Sequence, residues 1–574
     1  MPRSADLPEA RTRDIVVAAS IVLLSVLPAI VLGFPPGHDA ANHPVWLEGF
    51  YKQLAAGDSF PRWLMDANGG LGSPTFFFYG PLSFYLTSAL MFVTGGVFGT
   101  GHILGLSCGI AGILSFAFAY RWLRGWVPAR AALIGAVFYA VAPYHVFIDL
   151  YNRAAFGEYW AFVWPPLILW AADRLFEDRQ AGLPLVAVSY SLLGFAHLPT
   201  MTLFSPLLAG YILWRGRHSL RAAMQGIVAM VLGAALTAVF LIPGYIEQRH
   251  IAVDVLRTGF YDYRNWFMFV SWLHPVKEMP DRWNWITLFT LIAGAACYGI
   301  NRGREAADGL SRFFFYSIIA LLFMMSPLSG FIWAALTPLK SVQFPVRWNS
   351  DLVLACSALV AFGFGAGSER NSNPKRLAFA CTAACLIFSF AGIAVWNIEK
   401  RDTIRGRDEL SRNISRDVQH RIDPYFVPIQ AAAFRGSVNT ESVARGMDSV
   451  LHGQQVVIRR DPVGPRGIRF AIQGGAGRSI KLPVFYYPNW IAANQAGQHY
   501  TVGVSQPDGL ITVPLLTDNE TVLLTFVRSG PERVGAEMSL GALAFVAVLF
   551  AVPLVRKRKR PAPDLAASAA AGSG

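Results

Sequence analysis

The sequence predicts a polytopic α-helical membrane protein of about twelve spans, with a β-rich domain outside the bilayer near its C-terminus. Three observations predict it. Of 574 residues, 54% are hydrophobic and 15% are charged, where a soluble domain carries roughly a quarter charged residues. Uncharged apolar runs recur along the chain, and about 20 such residues cross roughly 30 Å of hydrocarbon. Late in the chain these runs give way to short segments that alternate apolar and polar residues.

The first run is residues 15–34, IVVAASIVLLSVLPAIVLGF. It is too long for a cleaved leader, and Pro28, Pro35 and Pro36 follow without a small-x-small site. Further runs cover about 79–98, 102–120, 131–148, 159–172, 183–196, 198–214, 222–246, 285–300, 313–339, 352–367, 377–398 and 538–555. Positive charge sets their topology. Arg121, Arg124 and Arg130, then Arg174 and Arg179, then Arg215, Arg217 and Arg221 mark short basic loops. Arg302, Arg304 and Arg312, then Arg370, Lys375 and Arg376, and finally RKRKR at 556–560 complete the series. All share one side with Arg3, Arg11 and Arg13 if one early run does not span. The run 79–98 fits that part: it holds Gly80, Pro81, Gly95 and Gly96 and follows a polar loop. It is expected to lie on or dip into the outer face. Both termini are then cytoplasmic.

The net charge of +13 is explained by these loops, and nucleic acid is not an expected partner. The five cysteines all lie in apolar runs, which points to packing. Residues 183–214 form two short runs around AHLPT, a pattern that frames cavities at membrane depth.

The outward segments are long and hold most of the acidic and histidine chemistry. The first spans 35–101 within a membrane domain of residues 1–398. A soluble outward domain follows at 399–536. It begins with a charged, helix-like stretch and continues with QQVVIRR, GIRFAIQ, RSIKLPVFYY, HYTVGVSQ, GLITVPLL and TVLLTFVR. Their period-two pattern and Gly, Pro and Asp-Gly turns predict a small antiparallel sandwich. Residues 537–560 supply a last span and basic end, and 561–574 a disordered tail.

Candidate chemistry gathers on the outer side. GHDAANH sets Asp39 and His43 at i, i+4, which in a helix points both one way. That pair suits a divalent cation, Mg or Mn, or a base with a partner. The competing reading is a polar loop with Asp39 capping a helix. In IDLYNRAAFGEYWAF, Asp149, Arg153 and Glu158 sit at a membrane edge, where charges are paired or used. An Asp149–Arg153 salt bridge is the plain account of the first two. His197 in AHLPT sits at the outer end of a short helix. Arg62 in FPRW and Arg347 in QFPVRW are flanked by Pro and Trp. They either anchor the interface, with Trp63 and Trp348 in the headgroup belt, or grip a phosphate. The chain has no Walker loop, Gly-x-Ser-x-Gly or zincin His pair, which argues against an ATP-driven pump and a nucleotide-sugar enzyme.

The ordered set GHD, FPRW, GSPTFFFYGPL, NRAAFGEYWAFVWPPL, HLPT, SVQFPVRW, LPVFYYPNWIAANQAG and GLITVPLL spans nearly the whole chain. It resembles the bacterial membrane proteins grouped as 6-pyruvoyl-tetrahydropterin synthase-related and YfhO-like. That group is similar to glycosyltransferases of the C superfamily (GT-C). The resemblance implies a bacterial inner-membrane enzyme that moves a sugar from a polyprenyl-phosphate carrier to an envelope lipid or polysaccharide at the outer face. It implies Asp39 as the acid of the first loop and Glu158, ahead of Asp149, as the second acid. Arg62 and Arg347 are then expected to hold the lipid phosphate, with Arg153 and His197 also binding substrate. His38 stands where many members carry a paired acid. The rival functions are a transporter or flippase for a lipid-linked glycan and a non-catalytic envelope-assembly factor.

Overall fold

The computed structural model describes residues 9–270, 281–301, 305–365, 372–401, 403, 426–431 and 456–558. Most of the charged stretch after residue 399 and the tail at 561–574 lie outside the described residues.

Among the described residues, seven helices are long and apolar enough to cross a membrane: Thr12–Val31, Thr100–Leu123, Ala129–Arg153, Arg282–Ile300, Pro345–Gly365, Pro374–Glu399 and Gly530–Ala551. Two bent pairs raise the number to nine if each is one span. Leu220–Leu236 meets Ala238–His250 at 67°, and Gly309–Met325 meets Pro327–Ala335 at 76°. The second break falls at Pro327, whose ring and missing N–H stop a helix from continuing. The chain is a multi-pass membrane protein. Its helices carry large exposed apolar side chains, among them Leu24, Val231, Phe379, Ile387 and Leu540. Such faces are stable against lipid and a liability in water.

The expected count of about twelve exceeds nine because three runs, 159–172, 183–196 and 198–214, form helices that fall short in length or apolar content. These are Trp164–Glu177, Arg179–Ala196 and Leu198–Arg215. The run 79–98 contains a 12-residue apolar helix, Leu82–Val93, too short to span.

The span Ala129–Arg153 changes character halfway. Past Ala142 and Pro143 it widens into a π-helix, Tyr144–Arg153, with the Ile148 N–H bonded to the Pro143 carbonyl at 3.0 Å. All ten residues of this segment are buried. Extended π-helix is rare and concentrates at functional sites.

Among the described residues near the C-terminus, eight strands form two sheets. They are β1 (Val457–Pro462), β2 (Gly467–Gln473), β3 (Ser479–Phe485), β4 (Trp490–Asn494), β5 (His499–Tyr500), β6 (Gly503–Val504), β7 (Leu510–Pro514) and β8 (Asn519–Phe526). One sheet has the order β1-β2-β8-β4-β5 and the other β3-β7-β6. Burial alternates along β8, as a half-buried strand requires. Ile468 faces Leu524 and Phe470 faces Val522 across the β2–β8 ladder. These side chains share a core with Leu482, Val484, Tyr487, Ile511 and Val513.

That core also takes in Trp63, Leu71 and Phe77 of the first loop. Trp63 stacks on Phe526, with ring centroids 5.2 Å apart, and is 2% exposed. Asp58 accepts two bonds from Arg466, at 2.6 and 2.9 Å. The first loop and the sheets are therefore docked to each other. The expectation of Trp63 and Trp348 as headgroup anchors is corrected here, since both are buried in protein.

Candidate active site

The site is built where the π-helix ends. Ala154 follows it with a left-handed backbone, φ 56°, and turns the chain sharply. The first loop lies against this corner. The His38 N–H donates to the Asn152 carbonyl at 3.3 Å, and the Asp39 N–H to the Arg153 carbonyl at 2.8 Å. Only glycine fits before them. A Cβ on Gly37 would lie 2.5 Å from the Arg153 carbonyl carbon and 2.6 Å from the Ala154 nitrogen. Main-chain bonds thus deliver Asp39 to the side of Arg153.

Behind the corner lies a buried charge network. Arg153 donates to Asp149 and, at 2.8 Å, to Glu158 Oε2. Arg347 Nε stands 3.1 Å from the same Glu158 oxygen, and its Nη1 donates to the Val342 carbonyl at 2.6 Å. Tyr144 donates to Glu158 Oε1 at 2.8 Å. Two carboxylates thus balance two guanidiniums, and no member is more than 10% exposed by its side chain. Charges this deep persist only when paired and hydrogen-bonded. Both guanidiniums also lie over Phe344, at 6.0 Å for Arg153 and 4.8 Å for Arg347.

In front of the corner opens a cavity of about 1190 Å³. Among the described residues, its charged lining is one carboxylate, Asp39, and four guanidiniums, Arg153, Arg249, Arg257 and Arg347. His38, His43, His197 and Asn152 add polar groups. Aromatic and apolar side chains, including Trp46, Phe78, Leu241, Val253, Trp266 and Phe426, make most of the remaining wall. Asp39 is half-buried, open to the cavity and otherwise enclosed. Burial raises its carboxyl above the usual range, and Arg153 and Arg347 pull it partly back. Burial lowers His38, against the pull of Asp39.

The sequence candidates divide three ways. Asp39, His43, Arg153, His197 and Arg347 meet at the cavity wall. Glu158 lies behind the wall, with both oxygens engaged. The carboxylate expected as the second acid holds Arg153 and Arg347 from behind. Arg62 lies elsewhere: it pairs with Glu532 of the last span at 2.9 Å and donates to the Val239 carbonyl at 2.5 Å. Both partners are buried, and Arg62 does not line the cavity. Burial pulls the Arg62 guanidinium down to about 10, with Glu532 pulling it back up. Its expected role beside Arg347 is corrected accordingly.

The Asp39–His43 pair is a poor fit to a divalent cation. The helix His43–Ala55 begins at His43, so Asp39 sits in the preceding turn and the shared helix face does not exist. The His43 ring is packed among Phe34, Trp46, Tyr79, Phe84 and Phe156. Burial holds its pKa down to about 3, partly offset by the Ala154 backbone, so it is neutral at ordinary pH. Among the described residues, no three His, Cys, Asp or Glu side chains gather as a metal site. His197 bonds Thr200 through Nδ1 at 2.8 Å and begins the helix Leu198–Arg215.

Arg249, Arg257, Asn152 and Tyr144 escaped the sequence reading. Asn152 and Tyr144 look like ordinary core residues in an apolar run. Arg249 and Arg257 sit in a long loop with no local pattern.

No protein-family profile matches the chain. An uncharacterized protein of Lactococcus lactis subsp. cremoris is 23% identical over 253 residues, covering 43% of this chain and 40% of that protein. Solved structures with partial likeness include an arabinofuranosyltransferase and an oligosaccharyltransferase. Arabinofuranosyltransferase AftD from Mycobacteria has a TM-score of 0.44 at 16% identity, over 68% of this chain and 27% of that one. ArnT from Cupriavidus metallidurans, bound to undecaprenyl phosphate, has 0.38 at 14%, over 71% and 74%. The oligosaccharyltransferase AglB from Archaeoglobus fulgidus, in complex with an inhibitory peptide and a dolichol-phosphate, has 0.37 at 14%, over 69% and 56%. The chain thus spans well under half of the Lactococcus protein and of AftD. With every TM-score below 0.5, these likenesses assign no function to this chain.

Proposed function

We propose that this protein transfers a sugar from a polyprenyl-phosphate carrier to an acceptor hydroxyl, at the membrane face where the cavity opens. The observation that carries the reading is the sharing of one large, mostly apolar cavity by a half-buried carboxylate, Asp39, and a held pair of guanidiniums, Arg153 and Arg347. An apolar wall suits a lipid chain, and guanidiniums suit a phosphate.

In the reaction, the acceptor oxygen attacks the sugar carbon that bears the phosphate. That carbon–oxygen bond forms as the bond to the phosphate breaks. Asp39 takes the acceptor's proton, and polyprenyl phosphate leaves with the electron pair. Arg153 and Arg347 meet the charge that grows on the leaving oxygen, which is where preplaced donors help most. Glu158 is a positioning residue: it keeps both guanidiniums fixed and pays no reorganisation at the moment of transfer. No step draws on a metal ion. The envelope as the acceptor's home and the bacterial cytoplasmic membrane as the site of action, with both termini cytoplasmic, belong to the same proposal.

The test is transfer in proteoliposomes from a panel of polyprenyl-phosphate sugars to an envelope extract, with and without divalent cation. Turnover that disappears in Asp39→Asn supports the reading. Equal turnover in both proteins moves the base elsewhere. Carrier movement across the bilayer without transfer would establish the flippase instead.

A further inference from the structure

The charge on the cavity wall is not evenly compensated. Arg153 and Arg347 have buried carboxylate partners in Asp149 and Glu158. Arg249 and Arg257 make no ion pair among the described residues, though the buried Glu247 carboxylate lies within electrostatic reach of Arg249. The Arg249 guanidinium donates to the His250 ring at 3.1 Å, and Arg257 donates through Nη2 to the Ser341 hydroxyl at 2.8 Å. Arg257 Nε is buried with no hydrogen-bond partner among the described residues. A buried guanidinium N–H left without an acceptor is costly. Arg249 is exposed and its Nε is bonded, so the unsatisfied donor is on Arg257, and the two cations face one cavity, where they attract an anion.

The placement of Arg257 ties it to the first pair. Arg257 holds Ser341 while Arg347 holds the carbonyl of the next residue, Val342. The two guanidiniums therefore grip consecutive residues of one short helix, Thr337–Val342. The rim segment is itself braced by the β-rich region. Tyr487 donates to Glu247 at 3.2 Å, and the Ile429 N–H donates to the His250 carbonyl at 2.9 Å.

We infer that Arg249 and Arg257 form a second anion subsite, which takes a phosphate or carboxylate group distinct from the one at Arg153 and Arg347. It rests on the proposed carrier site only for the identity of the first anion. The second anion has two sources: a further phosphate on the carrier, or an acidic group on the acceptor.

The experiment measures binding to the full chain in nanodiscs, at low and moderate salt. The probes are undecaprenyl phosphate, undecaprenyl diphosphate, and inorganic phosphate added over saturating undecaprenyl phosphate. The proteins are wild type, Arg347→Gln, and the double variant Arg249→Gln with Arg257→Gln. The double variant changes side chains at the rim and carries little folding risk. The expected result is at least a tenfold gain in wild type from one second anion, lost in the double variant while undecaprenyl phosphate still binds. A gain for the diphosphate assigns the subsite to the carrier. A gain for added phosphate assigns it to the acceptor. No gain from either anion, or a gain the double variant keeps, overturns the inference. Undecaprenyl phosphate binding that is absent, or unchanged in Arg347→Gln, defeats the carrier reading instead, and inorganic phosphate alone then tests Arg249 and Arg257.

Discussion

The Asp39 amide donates to the carbonyl of Arg153, so the candidate base and a candidate phosphate ligand are joined by one main-chain bond of 2.8 Å. Side-chain packing alone would let the two drift. A bond between backbones sets their spacing before any substrate arrives. Pre-organisation of this kind lowers the cost of aligning reacting groups.

Transfer should depend on pH through Asp39. Its carboxyl is raised by burial despite Arg153 and Arg347. The base is the ionised form, so activity should fall as pH drops through a value above the ordinary Asp pKa of about 3.9. The stability contribution runs the other way: it is complete below the unfolded pKa and is lost as pH rises through the raised folded one. Asp39→Asn should lower transfer by about 10²–10⁴-fold and flatten the acid limb. A variant that keeps wild-type turnover with the same limb would place the titrating group elsewhere.

Glu158→Gln should be a binding and stability defect more than a chemical one. It leaves Arg153 with Asp149 and removes the carboxylate that Arg347 pairs with. Breaking a buried pair costs about 3–5 kcal/mol. The thermal midpoint should drop, and KM for the carrier should rise more than kcat falls. Glu158→Asp should recover part of both. Normal stability and KM with a collapsed kcat would make Glu158 a catalytic acid after all.

Arg62 and Glu532 should behave as a structural clamp between the first loop and the last span. Arg62→Met alone exposes Glu532 as an uncompensated buried charge and should cost about 3–5 kcal/mol. Adding Glu532→Leu should restore much of that, because two apolar groups of similar size remove both desolvation penalties. A double-mutant cycle on thermal unfolding reads the coupling. A cycle with no coupling energy, together with weakened carrier binding in Arg62→Met alone, would return Arg62 to the substrate-binding set.

Asn152→Leu should leave the fold as stable as wild type or more so. The Asn152 amide is 1% exposed, and neither Nδ2 nor Oδ1 has a partner among the described residues. An unsatisfied buried group costs about 1–3 kcal/mol, and a similar-sized apolar side chain avoids it. Calorimetry of the purified protein measures the shift. A lower midpoint would show that the amide holds the corner in place.

What the sequence determined by itself follows from local patterns. Hydropathy and length mark the helices because lipid demands uninterrupted apolar turns. Period-two alternation marks β2 and β8 because one face of each strand is buried. Asp39, Arg153 and Arg347 stand out because charges are scarce near spans. What only the tertiary structure decided is which charge meets which. Glu158 faces Arg347 and Arg62 faces Glu532 across long stretches of chain, and those pairings depend on how helices and sheets dock. Two arginines in similar Pro–Trp settings thus reach opposite ends: Arg347 lines the cavity, and Arg62 closes a clamp. The surrounding partners, absent from any local window, set the difference, because a guanidinium taken out of water goes wherever a carboxylate is buried to meet it.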